Sequence, residues 1–186
     1  MKLNKIIVAS ILTLTAGAAQ AASPAITAPG GTVHFRGDIV NAACAVSPKS
    51  ADQIVQLGQY RTANFKAVGD KSNTIPFTIN LQDCDSTVAA AAMVSFSGSV
   101  DDTDATVLSV SNIRDGGVSG AASGVGIEIA DQQGKVLTPN TGTFSAPKTL
   151  NDGDNVLNFT ARYKSTLAAV TPGRADADAT FTMQYE

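Results

Sequence analysis

The sequence predicts an all-β sandwich built from a single domain of the 186-residue chain. Three observations support this prediction. Apolar and polar residues alternate with a period of two in several short stretches, which is typical of half-buried strands. Clusters of Gly, Asp, Asn and Pro separate these stretches. Helical periodicity is nearly absent after Ala22. Many short strands with one apolar face are expected to pack as two layers.

The strands follow from the alternation, taken in chain order. A stretch at 33–39 alternates Val33, Phe35, Gly37 and Ile39 with polar residues, and a short candidate lies at 54–57. A helical turn is predicted near residues 62–68. Clear strands are predicted at 75–82, 94–97, 125–130, 157–164 and 179–185, with a short one at 107–110. Turn signals stand at 98–99, 115–117, 131–134, 151–153 and 172–173.

Residues 1–21 are predicted to be a secretory signal peptide. Lys2 and Lys5 precede an uncharged stretch from 6 to 19, and the small-x-small sequence Ala19-Gln20-Ala21 follows. This is the pattern that signal peptidase cleaves. A transmembrane anchor is the alternative, but the apolar run is shorter than the roughly 18 residues needed to span a bilayer. We therefore expect a mature chain of residues 22–186.

Composition argues against several classes of function. The net charge of −3 provides no basic surface for nucleic acid. A single His and the lack of a Cys-x-x-Cys motif argue against a zinc site. We therefore expect no nucleic-acid partner and no metal.

Cys44 and Cys84 are the two cysteines of the chain. In an oxidising compartment an even pair indicates a disulfide. In the chain-entropy model such a disulfide would stabilise the folded state by about 4 kcal/mol, because it constrains the unfolded chain. A reactive thiol pair is the alternative, but it would need close spacing and basic neighbours.

The start of the mature chain has two interpretations. Residues 23–31 are rich in Ala, Pro, Thr and Gly and are typical of a tail. The alternating stretch that follows is either the first strand of the sandwich or an extension outside it. Composition and spacing leave both open.

Longer motifs resemble a known family. GGTVHFRGDIVNAACAV follows the tail, Cys84 lies in LQDCD, and the chain ends in ADATFTMQYE. Tyr185 is penultimate and Gly173 is fourteenth from the C-terminus. Together these features resemble the chaperone–usher pilins, in particular the major subunits of type 1 fimbriae.

The resemblance implies an incomplete immunoglobulin-like sandwich (pilin fold) at 41–186 that lacks its last strand. A donor strand from the extension at 22–40 of a neighbouring subunit would complete it. The implied donor positions are Gly31, Val33, Phe35, Gly37 and Ile39. The implied acceptor groove lies along 177–185, with Gly173, Ala179, Phe181, Met183 and Tyr185. The disulfide would connect the first strand to the third.

The implied function is that of a structural subunit, with no cofactor and no enzymatic activity. It would polymerise head to tail with identical pilin subunits into an extracellular fimbrial rod that supports adhesion. A periplasmic pilus chaperone would lend the missing strand first, and an outer-membrane usher would mediate assembly. The protein would thus pass through the periplasm to the cell surface. A minor fimbrial adaptor or a tip-proximal binding module is the alternative.

Weaker patterns are expected to be structural. Ser145 and Lys148 match S-x-x-K, but the companion motifs of serine acylases are missing. Asp101, Asp102 and Asp104 lack the spacing of a calcium loop. Gly120, Gly124 and Gly126 are expected to mark a flexible loop.

Overall fold

The computed structural model describes residues 25–111 and 120–186. The predicted signal peptide, the first two residues of the tail (23–24) and the turn signal at 115–117 lie outside the described residues. The chain divides into two units, Met1–Asp38 and Ile39–Glu186. In the first unit, the described residues 25–38 contain no helix or strand. The sandwich belongs to the second unit.

The second unit is almost entirely β-structure. One short helix, α1, covers Pro48–Ala51, and a 3-10 turn covers Thr62–Asn64. The strands are β1 (Ala45–Val46), β2 (Ile75–Cys84), β3 (Ala91–Gly98), β4 (Leu108–Ser109), β5 (Val125–Asp131), β6 (Lys148–Thr149), β7 (Gly153–Ser165) and β8 (Ala179–Tyr185).

The strands form two sheets, and every pair of neighbouring strands is antiparallel. The larger sheet has the order β1-β2-β7-β5-β4 and the smaller has the order β6-β3-β8. The predicted all-β sandwich is therefore confirmed.

The described residues form no helix with the length and apolar character that a transmembrane span requires.

The core lies between the inner faces of the two sheets. Phe159 of β7 stacks on Phe77 of β2 with ring centroids 5.5 Å apart, and it meets Phe96 of β3 edge-on at 5.4 Å. Ile79 and Leu81 on the same face of β2 are fully buried. These residues occupy alternate positions of their strands, which is the reason that period two predicted them.

β5 departs from simple alternation because it is buried on both faces. On the outer face, the Glu128 carboxylate accepts a hydrogen bond from Arg162 Nε at 2.7 Å and one from Lys71 Nζ at 3.1 Å. A Cβ on Gly126 would lie 2.2 Å from Val107 Cγ2. Gly126 thus lies in a strand against a close neighbour, and the prediction of a flexible loop there is wrong.

Three other predictions need correction. Residues 54–57 form no strand, although Gln53 Nε2 donates a hydrogen bond to the Thr78 carbonyl at 3.2 Å. The disulfide consequently does not connect a first strand to a third: Cys44 directly precedes β1 and Cys84 ends the adjacent β2. The helical turn is shorter than predicted, and α1 was not predicted because four residues are too few to show periodicity.

Candidate functional site

β8 is an edge strand, and its open side is the candidate site. In the described part of the chain β8 pairs with β3 and with no other strand. The register places Phe181 opposite Phe96, Met183 opposite Val94, and Tyr185 opposite Ala92. One side of β8 is therefore occupied along its whole length. No strand of the described residues pairs with the other side, the open side, which can accept a further strand.

The hydrogen-bonding pattern shows which backbone groups face the open side. Ala91 and Glu186 exchange both of their backbone hydrogen bonds, each at 3.0 Å. Alternate residues of an antiparallel strand direct their N–H and C=O groups to opposite sides. The even-numbered residues of β8 therefore bond to β3. The odd-numbered residues Phe181, Met183 and Tyr185 direct their backbone groups to the open side.

The same three residues carry the apolar side chains of β8. Phe181, Met183 and Tyr185 are half-buried and pack against the core between the sheets. Phe181 lies 6.5 Å from Phe96 between ring centroids. Thr180 and Thr182 are exposed on the opposite face. A strand that bonds to the open edge would thus place alternate side chains over half-covered apolar residues.

The two alanines of the predicted groove differ from each other. Ala179 is exposed at the start of β8, whereas Ala177 packs against the core. Ala177 precedes the strand proper, so the strand is two residues shorter than the predicted range of 177–185. The period-two pattern nevertheless extends back to Ala177.

Tyr185 also bonds outside its own sheet. Its hydroxyl donates a hydrogen bond to the Cys44 carbonyl at 3.3 Å. Burial raises the pKa of Tyr185 above its ordinary value, so the hydroxyl that donates this bond stays protonated over a wider range of pH. One end of the edge strand is thereby connected to the chain next to β1.

Gly173 lies where two backbone segments meet. A Cβ at this position would be 2.4 Å from both the Ala121 carbonyl carbon and the Ala122 nitrogen. Arg174, the next residue, donates a backbone hydrogen bond to the Gly120 carbonyl at 2.9 Å and accepts one from Ala122 at 2.6 Å. Only glycine allows this approach without displacement, so Gly173 positions the segment that leads into β8.

The predicted disulfide is present between Cys44 and Cys84. Both residues are buried, with 3% and 5% of their surface exposed. The bond attaches the residue directly before β1 to the end of β2.

The predicted donor residues are highly exposed. Val33 is 73% exposed, Phe35 92% and Ile39 fully exposed. A Cβ on Gly37 would meet no atom within 4 Å. Gly31 has a φ of +133°, which L side chains rarely adopt. The donor role of these residues stays a prediction.

The weaker sequence patterns have structural roles. Ser145 Oγ accepts a hydrogen bond from the Val94 amide at 3.1 Å, which attaches the loop before β6 to β3. Asp104 pairs with Lys164 Nζ at 2.6 Å. The described residues include no cluster of three His, Cys, Asp or Glu side chains that could hold a metal ion.

The chain is similar in sequence to known fimbrial proteins. The family model described as "Fimbrial protein" matches residues 33–186. "Type-1 fimbrial protein, A chain" of Salmonella typhi is 54% identical over 186 residues, with 98% of this chain and 99% of the relative covered. "Fimbrial subunit type 1" of Salmonella typhimurium is 52% identical over 185 residues, with 100% and 98% covered.

A solved structure agrees in fold. A subunit from the structure of a chaperone-usher pilus superposes with a TM-score of 0.70 and is 31% identical in sequence. The match covers 88% of this chain and 100% of the other.

Proposed function

We propose that this chain, which belongs to the fimbrial protein family, is a structural fimbrial subunit that polymerises by donor-strand exchange. In this proposal residues 31–39 of one copy add to the open edge of β8 in the next copy. The proposal is supported by Phe181, Met183 and Tyr185. These residues direct their backbone groups to the open edge, and their apolar side chains are half-buried.

An open edge of this kind is normally a liability. It offers unpaired N–H and C=O groups to any extended chain, and apolar side chains beside the edge add a driving force for association. Addition of an extended strand to a sheet edge is an established mode of recognition, and chaperone–pilin complexes use it. A polymer subunit can therefore use the edge that a monomeric protein would have to protect.

The extension has the matching pattern. Val33, Phe35 and Ile39 recur with a period of two and are exposed in the described chain. Burial of each side chain in a neighbour would contribute roughly 1.5–3 kcal/mol. Each new backbone hydrogen bond would add about 0.5–1.5 kcal/mol. Several such contributions in one joint favour very slow dissociation.

The same chemistry defines the partners. The main partner is a second copy of the chain, and successive copies give a head-to-tail polymer. Before assembly, a periplasmic pilus chaperone would cover the edge of β8 with a strand of its own. An outer-membrane usher would then exchange that strand for the extension of the next subunit at the cell surface. No catalytic group is required.

Removal of the extension tests the proposal. A chain without residues 22–40 should fold and bind a chaperone, because β1 to β8 are retained, but it should form no fibres by electron microscopy. Phe35→Ser in the full chain should also shorten or abolish fibres. Ile26→Ser is the matched control, since Ile26 is exposed in the same extension but lies outside the donor residues. Long fibres from the shortened chain would refute the proposal.

A further inference from the structure

We propose that Asp38 of an incoming extension lies opposite Asp178 of the copy that receives it, and that repulsion between the two carboxylates limits the strength of each joint. This inference depends on the proposed strand exchange. Two observations support it: which residues of β8 direct their backbone groups to the open side, and which residues of the extension can pair with them.

The open edge and the extension match in length. The backbone groups of odd-numbered residues face the open side, and Ala177 continues the apolar face of β8 toward the N-terminus. The acceptor positions are 177, 179, 181, 183 and 185. The donor positions 31, 33, 35, 37 and 39 have the same spacing, so one register pairs all of them.

Side-chain size determines the direction. In the antiparallel arrangement Gly31 lies opposite Tyr185 and Ile39 lies opposite Ala177, so that a small residue meets a large one at each end. A parallel strand would put Ile39 opposite Tyr185 and Gly31 opposite Ala177, which crowds one end and leaves a gap at the other. The named strand pairs of the domain are also all antiparallel.

Shifts of this register by two residues meet obstacles. One shift places Pro29 opposite Tyr185 and Ile39 opposite Ala175. Proline has no N–H to donate, and the Ala175 carbonyl already accepts a hydrogen bond from the Tyr163 hydroxyl at 2.9 Å. The other shift turns the polar side chain of Asn41 toward the apolar position at Ala177. The register that pairs Phe35 with Phe181 avoids both problems.

The outward residues then meet in a defined way. His34 lies opposite Thr182, Arg36 opposite Thr180, and Asp38 opposite Asp178. Asp38 and Asp178 are both exposed. The Asp178 backbone lies beside Gly98 at the end of β3, because its carbonyl oxygen would be 2.7 Å from a Cβ on Gly98. Like charges directly opposite each other destabilise a strand pair. Arg36 is only a diagonal neighbour of Asp178.

Fibres assembled from full-length mature chains test the pair. Asp38→Lys and Asp178→Lys each place opposite charges in every joint, so each single variant should dissociate roughly two- to fivefold more slowly than the wild type at low salt. The double variant places two cations in the joint and should return toward the wild-type rate. High salt should reduce these differences because it screens exposed charges.

The control repeats this comparison with Asp154→Lys in place of Asp178→Lys. Asp154 is an exposed acid on β7, so its variant makes the same change in net charge but should show no coupling with Asp38→Lys. Independent effects of the Asp38 and Asp178 variants would overturn the inference. So would coupling of Asp178 with Arg36 in place of Asp38, because that result indicates the shifted register. If wild-type chains formed no fibres at all, the proposed function itself would fail.

Discussion

The hydroxyl of Tyr185 donates a hydrogen bond to the carbonyl oxygen of Cys44, a residue 141 positions earlier in the chain. The two ends of the domain are thereby connected. Cys44 is fixed to β2 by its disulfide, and Tyr185 closes the edge strand. The C-terminal end of β8 is therefore attached to the same residue, Cys44, that the disulfide fixes to β2.

Tyr185→Phe should remove this connection while it keeps the ring in place. The loss leaves the Cys44 carbonyl without its phenolic partner, and we expect the free energy of unfolding to fall by about 0.5–1.5 kcal/mol. Urea unfolding of the oxidised protein measures the change. Tyr60→Phe is the control, because the Tyr60 hydroxyl makes an exposed bond of 3.4 Å to the Asn73 carbonyl. Equal effects of the two variants would contradict the assigned role of Tyr185.

Gly173→Ala should be destabilising because the added methyl group meets backbone atoms on both Ala121 and Ala122. Backbone atoms cannot rotate away, so the segment before β8 must shift. We expect a loss of about 1–3 kcal/mol in unfolding free energy, the usual cost of overpacking. Gly30→Ala is the control, since a Cβ on Gly30 meets nothing within 4 Å. A Gly173→Ala protein as stable as the Gly30→Ala protein would show that the close approach is not required.

Glu128 should make stability depend on pH. Burial alone raises the pKa of Glu128, but hydrogen bonds from Arg162 and Lys71 outweigh burial and hold the pKa below its ordinary value. The folded state thus favours the ionised form. The stabilisation is present above the ordinary pKa of 4.5 and is lost as the pH falls through the lower folded-state pKa.

Glu128→Gln measures this contribution. At pH 7 the variant should be less stable by about 1.5–3 kcal/mol, the range for hydrogen bonds to a charged group. The difference from the wild type should shrink in urea unfolding at pH 3. Asp154→Asn, at an exposed position of β7, should show little difference at either pH. A constant difference for Glu128→Gln across this range would exclude the ionised carboxylate as its cause.

Local pattern accounts for the parts of the fold that could be predicted. β2, β7 and β8 each bury one face, so their period of two is visible in the sequence. β5 was predicted as a strand, but its second buried face was not, because Glu128 resembles a solvent-facing residue until its cationic partners are known. The open edge at Phe181 and Met183 followed from alternation and family resemblance. The Tyr185–Cys44 bond and the contact at Gly173 arise from tertiary approach, for which the sequence has no local signal.

The last prediction concerns Gly37, where the donor alternation requires an inward residue but no side chain is present. We expect the acceptor edge to be constricted at this position, which in the proposed register lies opposite Ala179. Gly37→Leu should then clash with the receiving subunit, at a cost of about 1–3 kcal/mol or more. Because a Cβ on Gly37 meets no atom of its own chain, the variant should fold and accept a donor strand normally. It should fail only as a donor, and mixtures with the wild type should give shortened fibres.

The measurement is the rate at which extension peptides displace chaperone from a chaperone–subunit complex. If Gly37 supplied flexibility alone, the Gly37→Ala and Gly37→Leu peptides would both show a similarly small decrease in the rate of chaperone displacement. A Leu peptide that exchanged as fast as the Gly peptide would reject the constriction.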